Sequence, residues 1–299
     1  DFGLTWNQVL EAGGVLVSPF SVAQYDLVRS EGEALVARIR KGDLKVATPV
    51  QANAHMSLLA LDKVLDSDRL APTLRAQALA AKGVQLDFLG RIEAARGAFE
   101  SAIALDPANA ESHDALSMNA IFRGDDATAL KEAAESLRLA PSKTTPALLR
   151  GYAHFFDGDA AGARADFTAA LQSREEVERS YAALWLYLSA RRAGASGVEA
   201  VQAVKPYEAT GSHPAWPFSV LQLMEGRIDF GAALAASQEN GQRSASRECE
   251  LYFFAGEKAA ADGDLASARK YLHMSIATGV TEFTEYQSSR LELARIGER

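Results

Sequence analysis

Residues 76–109 read AQALAAKGVQLDFLGRIEAARGAFESAIALDPAN, and two further segments of the same length follow, 110–143 and 144–177. Turn residues Gly90, Gly124 and Gly158 recur in them at intervals of 34 residues. The positions after each glycine are also alike: an alanine (Ala95, Ala129, Ala163), a packing residue (Phe99, Ala133, Phe167) and, in the first two segments, a closing proline (Pro107, Pro141). An isolated helix has no need of this spacing, so the segments are repeated structural units.

This period, with its turn glycine, buried alanine and closing proline, is typical of the tetratricopeptide repeat. Each unit reads as a helical hairpin in which Gly83 and Ala95 let two helices approach closely and Phe99 fills the space at their crossing. A single hairpin cannot bury its apolar face, so hairpins stack. We therefore predict an all-α fold: a tetratricopeptide-repeat superhelix, or right-handed α-solenoid, with a degenerate N-terminal cap and a C-terminal capping helix.

Four segments follow from this pattern. Residues 1–75 are predicted to form the cap, with a double glycine at Gly13-Gly14 and a helix opened by Thr48-Pro49, and residues 76–193 hold three repeats plus one further helix. The period then fails, so 194–248 is predicted as an irregular helical segment, with a short helix at 198–204 and an irregular link from Pro206 to Pro214. Residues 249–299 carry a last repeat, whose final helix is expected to cover the end of the solenoid with its Arg/Glu face outward.

The composition of the chain disfavours several classes of partner and site. The chain of 299 residues has a net charge of −8 and no cluster of basic residues, which disfavours nucleic acid and anionic membrane surfaces. Its single cysteine, Cys249, excludes an internal disulfide framework and a thiolate metal site, and is expected to be a buried apolar residue. No apolar run reaches the roughly 20 residues of a transmembrane helix. Because the chain starts at Asp1, any signal peptide is expected to have been removed.

No catalytic constellation is recognisable. The five histidines are scattered without metal-ligand spacing: His55, His113, His154, His213 and His273. Acidic pairs lie near predicted helix starts, where they favour the helix dipole: Asp125-Asp126, Glu175-Glu176 and Glu248 with Glu250. The sequence therefore predicts no enzyme, no cofactor and no metal site.

The first helices of stacked hairpins are expected to line a concave groove. Its predicted partner-binding residues are Asp87, Phe88, Glu111, Asp114, Met118, Phe122, Tyr152 and Phe155. Two interpretations of the aromatic positions remain open, because aromatic side chains at helical spacing either pack between neighbouring hairpins or line an apolar groove for a peptide or helix. The Lys/Asn set that clamps a C-terminal carboxylate is missing from these positions, which disfavours a chaperone-tail receptor.

The second half of the chain resembles a known family. The strings Trp216 to Leu221 (WPFSVL), Cys249 to Gly256 (CELYFFAG) and Phe283 to Tyr286 (FTEY) are similar to the Trp-Pro segment, terminal hairpin and capping helix of NlpI-type bacterial lipoproteins. The resemblance implies a dimeric periplasmic adaptor, tethered by a lipidated cysteine, that presents cell-wall hydrolases to a tail-specific protease. No lipid anchor is visible, since no cysteine lies near the start, and residues 1–75 match nothing in that family.

These observations favour a non-catalytic scaffold or adaptor that binds a protein or peptide partner in its groove. The resemblance implies a role in envelope or cell-wall protein turnover and a periplasmic or periplasmic-side membrane location, with a cytoplasmic location still open. One alternative is a structural subunit of a larger secretion or envelope assembly. A weaker alternative is an enzyme whose pocket is built by residues 1–75.

Overall fold

A computed structural model describes residues 22–68, 70–141, 145–209 and 215–297. These residues form helices and turns, and the ranges just given contain no β-strand. The helices are α1 (Val22–Lys41), α2 (Pro49–Leu65), α3 (Pro72–Phe88), α4 (Ile92–Leu105), α5 (Ala110–Arg123), α6 (Asp126–Leu139), α7 (Thr145–Asp157), α8 (Ala160–Ala170), α9 (Glu176–Arg192), α10 (Gly197–Glu208), α11 (Ala215–Met224), α12 (Phe230–Ala236), α13 (Ala245–Ala261), α14 (Leu265–Ala277) and α15 (Thr284–Arg295). The predicted all-α class is confirmed. Among the described residues, no helix combines the length and apolar character needed to cross a membrane.

The chain divides into two compact units, residues 1–119 and 120–299. In unit 1, α2 packs against both α1 and α3, and α3 packs against α4. In unit 2, the helices from α6 to α10 pack in chain order, α11 packs on α12, and α13 packs on α14. The last helix, α15, packs against α13 and α14. The predicted Gly13-Gly14 break and His213 lie outside the described residues.

From α3 onward, a left-handed glycine ends the first helix of each hairpin. The six glycines and their φ angles are Gly90 (69°), Gly124 (68°), Gly158 (86°), Gly194 (88°), Gly226 (74°) and Gly263 (85°). A side chain at such a φ would be strained, which explains why glycine recurs at this position. We call α3, α5, α7, α9, α11 and α13, which precede these glycines, the first helices.

The hairpins continue beyond the point where the 34-residue period stops. Gly194 lies 36 residues after Gly158 and joins α9 to α10, which pack against each other. The spacing grows because α9 has 17 residues where α7 has 13. The predicted irregular link from Pro206 to Pro214 is wrong for its first residues, since α10 continues to Glu208, and residues 210–214 lie outside the described residues. A proline this close to a helix end removes one backbone hydrogen bond without stopping the last turn.

Short polar side chains begin the helices that follow the turns. Asp125, Asp159 and Asp264 each accept a hydrogen bond from the backbone N–H three residues later, at 3.2, 2.9 and 3.0 Å. The predicted cap Thr48 does the same for Gln51, at 3.2 Å, with Pro49 in the first turn. Each cap satisfies one of the N–H groups that a helix start leaves unpaired.

Gly83 is expected to be intolerant of a side chain, although alanine favours helix. A Cβ at this position would lie 2.4 Å from Cε1 of Phe99, a ring with no exposed surface. Gly83→Ala should therefore lower the free energy of unfolding by about 1–3 kcal/mol through overpacking. The matched control is Gly97→Ala, another helical glycine, whose Cβ would meet no atom within 4 Å. It should gain up to about 1 kcal/mol from helix propensity. Urea denaturation of both variants, with opposite signs expected, tests the close approach.

Candidate functional site

In unit 1, the predicted groove residues differ in accessibility. Phe88, Asp114 and Met118 are half-buried, and Glu111 is exposed. Asp87 is buried, and its Oδ1 accepts a hydrogen bond of 2.7 Å from Nδ2 of Asn119. Asp87 therefore ties α3 to α5 and has little surface to offer a partner, whereas the other four keep accessible surface on the first helices α3 and α5.

In unit 2, two of the predicted groove residues surround a buried tryptophan. The ring centroids of Tyr152 and Phe155 lie 4.8 and 5.1 Å from that of Trp185, which has no exposed surface. Phe155 is itself 1% exposed, so its placement in an open groove is corrected: its ring belongs to the core. Phe122 is half-buried. The packing interpretation of aromatic residues at this spacing therefore applies to Phe155.

The last helix, α15, packs against α13 and α14, and its Glu292 reaches Arg192 at the end of α9. Arg192 of α9 donates to the backbone oxygen of Phe155 at 3.1 Å and to Glu292 of α15 at 2.5 Å. The expectation that α15 turns its Arg/Glu face outward is wrong for its glutamates. Its buried residues are Glu285, Gln287, Ser288, Ser289, Glu292 and Leu293. We call the surface of α13 and α14, together with Arg192 of α9, that receives α15 the docking face.

One buried carboxylate of the docking face accepts hydrogen bonds from neutral donors. Glu250 of α13 accepts hydrogen bonds from the Tyr181 hydroxyl at 2.9 Å and from Nε1 of Trp216 at 2.8 Å. Burial raises the pKa of Glu250 to about 8, and the neighbouring carboxylate of Glu285 adds to the shift. Burial also raises the pKa of Glu285 to about 7. The prediction that Glu250 serves the helix dipole is therefore wrong, because this carboxyl lies in the protein interior.

A second pair of carboxylates, Glu257 and Glu292, lies two helical turns further along the interface between α13 and α15. Nη2 of Arg192 reaches Glu257 of α13 at 3.0 Å and Glu292 of α15 at 2.5 Å, and Arg295 also pairs with Glu292. The Arg192 guanidinium lies 3.6 Å from the centroid of the Phe155 ring. Burial, followed by the charge of Glu292, raises the pKa of Glu257 to about 7. One arginine thus joins α7, α9, α13 and α15.

The spacing of the buried carboxylates in the sequence indicates that they share helix faces, which the analysis of apolar periodicity did not use. Glu250 and Glu257 are seven residues apart, and so are Glu285 and Glu292. Seven residues are about two helical turns, so each pair lies on one helix face. Acidic residues in a sequence are normally interpreted as exposed to solvent. The burial of these four depends on the packing of α15 against α13, which helix periodicity does not predict.

A separate cleft lies elsewhere in unit 2. It has a volume of about 300 Å³, an apolar floor that includes Leu223, Phe230 and Tyr271, and a polar rim that includes Lys258 and Asp264. The Phe230 and Tyr271 rings lie 4.9 Å apart. The cleft offers space for one bulky apolar side chain.

Neither a metal site nor a reactive thiol is recognisable in the part of the chain that the structure describes. No group of three or more His, Cys, Asp or Glu side chains could hold a metal ion there. Cys249 is buried, and burial raises the pKa of its thiol to about 12. A thiol held protonated in this way is a poor nucleophile at neutral pH.

Comparison with solved structures shows the fold. A tetratricopeptide repeat protein from Parabacteroides merdae ATCC 43184 is 12% identical, with 97% of this chain and 98% of that chain covered and a TM-score of 0.50. PilW, described as a widely conserved type IV pilus biogenesis factor, is 14% identical over 88% of this chain and 97% of its own, with a TM-score of 0.48. Pseudomonas aeruginosa PilF is 16% identical over 89% and 98%, with a TM-score of 0.45.

No known family model matches the sequence. The chain is a tetratricopeptide-repeat protein by fold, and repeat proteins of this kind are in general protein-interaction scaffolds. The resemblance to NlpI-type lipoproteins stays a prediction.

Proposed function

We propose that this protein is a non-catalytic scaffold that binds a helical segment of a partner protein on the first helices of its hairpins. The observation that supports this most directly is α15 itself. This helix of the chain packs against α13 and α14, and Arg192 of α9 pairs with its Glu292. The first helix α13 thus accepts another helix beside it, which is a recurring mode of peptide recognition.

Unit 1 supplies the accessible part of the proposed site. Its first helices α3 and α5 present Phe88 and Met118, both half-buried, together with exposed Glu111. Half-buried apolar side chains beside a carboxylate suit an amphipathic helix with apolar anchors and a basic flank. Asp114 adjoins them on α5, whereas buried Asp87 supports the site from within.

A crosslinking pull-down from a Gram-negative envelope extract tests the proposal. The test variant is Phe88→Glu with Met118→Glu, and the matched control is Val50→Glu with Leu105→Glu, which places two glutamates at apolar positions 39% and 42% exposed on the second helices α2 and α4. We expect a partner that wild type and control retain and the test variant loses at least about tenfold, since a charge buried at an anchor site is costly. Circular dichroism checks folding. Equal capture by all three proteins would contradict a site on α3 and α5.

The cellular setting of this proposal comes from the resemblance to NlpI-type lipoproteins. It places the protein on the periplasmic side of a bacterial envelope, as a dimeric adaptor in cell-wall protein turnover. Sedimentation of the purified chain and fractionation of cells that express it test these two points separately.

One observation favours the alternative of an assembly subunit. The cleft at Leu223, Phe230 and Tyr271 lies away from the docking face and could seat an apolar side chain of a permanent neighbour. Under this alternative, Tyr271→Arg in the expressing cell should release the protein from a large complex, as size fractionation would detect. An unchanged complex size would leave the scaffold proposal as the better one.

A further inference from the structure

The cleft in unit 2 lies where two helical hairpins meet. Leu223 of α11 and Phe230 of α12 come from one hairpin, and Ala255 of α13 and Tyr271 of α14 come from the other. Leu223 and Ala255 belong to one buried cluster, against which Phe230 and Tyr271 pack. The floor of the cleft is therefore held in place by core packing. A volume of about 300 Å³ is at the small end of ligand sites, so the cleft suits one side chain rather than a cofactor.

Aromatic rings line the cleft beside small residues. The centroid of the Phe230 ring lies 4.9 Å from that of Tyr271 and 6.1 Å from that of Tyr252. Ala255 and Ala259, about one turn apart on α13, each contribute only a methyl group. Aromatic side chains attract one another at centroid distances of about 4.5–7 Å. An additional ring in the cleft can therefore pack against this row of rings.

The rim carries one carboxylate that no cation neutralises. Asp262 is engaged on both oxygens, because Nζ of Lys258 lies 2.5 Å from Oδ2 and Nη2 of Arg191 lies 2.8 Å from Oδ1. Asp264 accepts a hydrogen bond of 3.0 Å from the backbone N–H of Ser267, and hydrogen bonds from Ser267 hold the pKa of Asp264 below its ordinary value. Within the described residues, no lysine or arginine forms an ion pair with Asp264. Its carboxylate is thus ionised and exposed to a cation from outside.

A neighbouring lysine defines the opposite possibility. Nζ of Lys270 lies 5.9 Å from the centroid of the Tyr271 ring, within cation–π distance. Lys270 does not line the cleft, whereas Asp264 lines it and is held by Ser267. Charge complementarity at the cleft itself therefore favours a positively charged flank of the occupant over a negatively charged one.

We propose that this cleft is a second binding site of the protein, which takes one aromatic side chain of a partner peptide segment while an adjacent lysine or arginine of that segment pairs with Asp264. The site lies outside α3 and α5 and does not rest on the proposed function. It also differs from the site of a permanent neighbour, because a short segment with a single anchor binds reversibly. The occupant is thus a peptide segment that combines an aromatic residue with a basic one.

Fluorine NMR of the full chain with a synthetic peptide tests the site. The probe is the tetrapeptide Gly-Phe-Lys-Gly, blocked at both ends, in which the phenylalanine carries a fluorine at the para position. We expect saturable binding with a dissociation constant on the order of 1 mM, since one side chain supplies most of the contact.

Unlabelled peptides then compete with the probe. Gly-Ala-Lys-Gly should compete at least about tenfold less well than unlabelled Gly-Phe-Lys-Gly, because it lacks the ring that is buried in the cleft. Gly-Phe-Glu-Gly should compete about twofold to fivefold less well, because the exposed ion pair with Asp264 is lost. The two comparisons measure the aromatic anchor and the basic flank separately.

Two substitutions and a matched control place the binding at the cleft. Ala259→Leu fills the cleft and should weaken binding of the probe at least about tenfold. Asp264→Asn should abolish the preference for lysine over glutamate while α14 keeps its start, because asparagine caps a helix as well as aspartate does. The control Asp159→Asn changes the same kind of cap on α8, where Asp159 accepts a hydrogen bond of 2.9 Å from the N–H of Gly162, and should bind as wild type. Circular dichroism checks that all three variants fold.

Several results would overturn the proposal. Absence of saturable binding up to about 10 mM, or equal binding by wild type and Ala259→Leu, would reject the cleft as a site. Equal competition by the lysine and glutamate peptides would reject the ion pair with Asp264, and better competition by the glutamate peptide would assign the flank to Lys270 instead. Loss of the lysine preference in Asp159→Asn as well as in Asp264→Asn would also reject the ion pair.

Discussion

Replacement of Arg192 by methionine is expected to lower the free energy of unfolding by about 3–5 kcal/mol, because it leaves the buried carboxylate of Glu257 without its ion-pair partner and that of Glu292 with Arg295 alone. The Arg192 guanidinium reaches Glu257 at 3.0 Å and Glu292 at 2.5 Å, and these carboxylates are 4% and 1% exposed. Methionine retains part of the packing over Phe155, so the loss is mainly electrostatic. Urea denaturation, followed by the fluorescence of Trp185 and Trp216 in unit 2, measures it.

Two further variants test whether the loss comes from the buried ion pairs of Arg192. Arg138→Met breaks an ion pair whose arginine is 67% exposed, and it should leave the free energy of unfolding almost unchanged. Adding Glu257→Gln to Arg192→Met also removes the carboxylate that has lost its arginine. The double variant should recover a substantial part of the lost free energy of unfolding, as a double-mutant cycle would detect. Equal effects of Arg192→Met and Arg138→Met would mean that Arg192 does not hold the interface.

The second prediction concerns pH. The pKa values of Glu250 and Glu285 are raised to about 8 and about 7 from an ordinary value of 4.5. The folded protein thus binds these protons more tightly than the unfolded chain, so stability falls as pH rises. The contribution is fully present below about pH 4.5 and is lost progressively up to about pH 8. At about 1.4 kcal/mol for each pKa unit, the loss amounts to several kcal/mol.

Urea midpoints at intervals between about pH 5 and about pH 8.5 measure this loss. Glu285→Gln should reduce the pH dependence by about half or more, because it removes one member of the pair and relieves the other. The exposed Glu175→Gln should retain the wild-type dependence. A free energy of unfolding that rises across this interval would show that the two carboxyls are ionised and stabilised in the folded state.

The repeat pattern predicted most of the local structure. Gly90, Gly124 and Gly158 adopt the left-handed turn that their spacing indicated, and Phe99 fills the space beside Gly83. These features could be predicted from the sequence because they depend on neighbours within one hairpin. The four predicted segments and the groove as a partner site remain predictions.

The sequence by itself determined the all-α class, the hairpin unit and the turn glycines, since each is set by backbone conformation and contacts within about 34 residues. Only the tertiary structure decided the role of the acidic residues. Glu250 and Glu285 lie 35 residues apart, and Arg192 and Glu292 lie 100 apart. Whether a carboxylate is solvated or buried depends on which helices pack over it, and helix periodicity is the same in both cases.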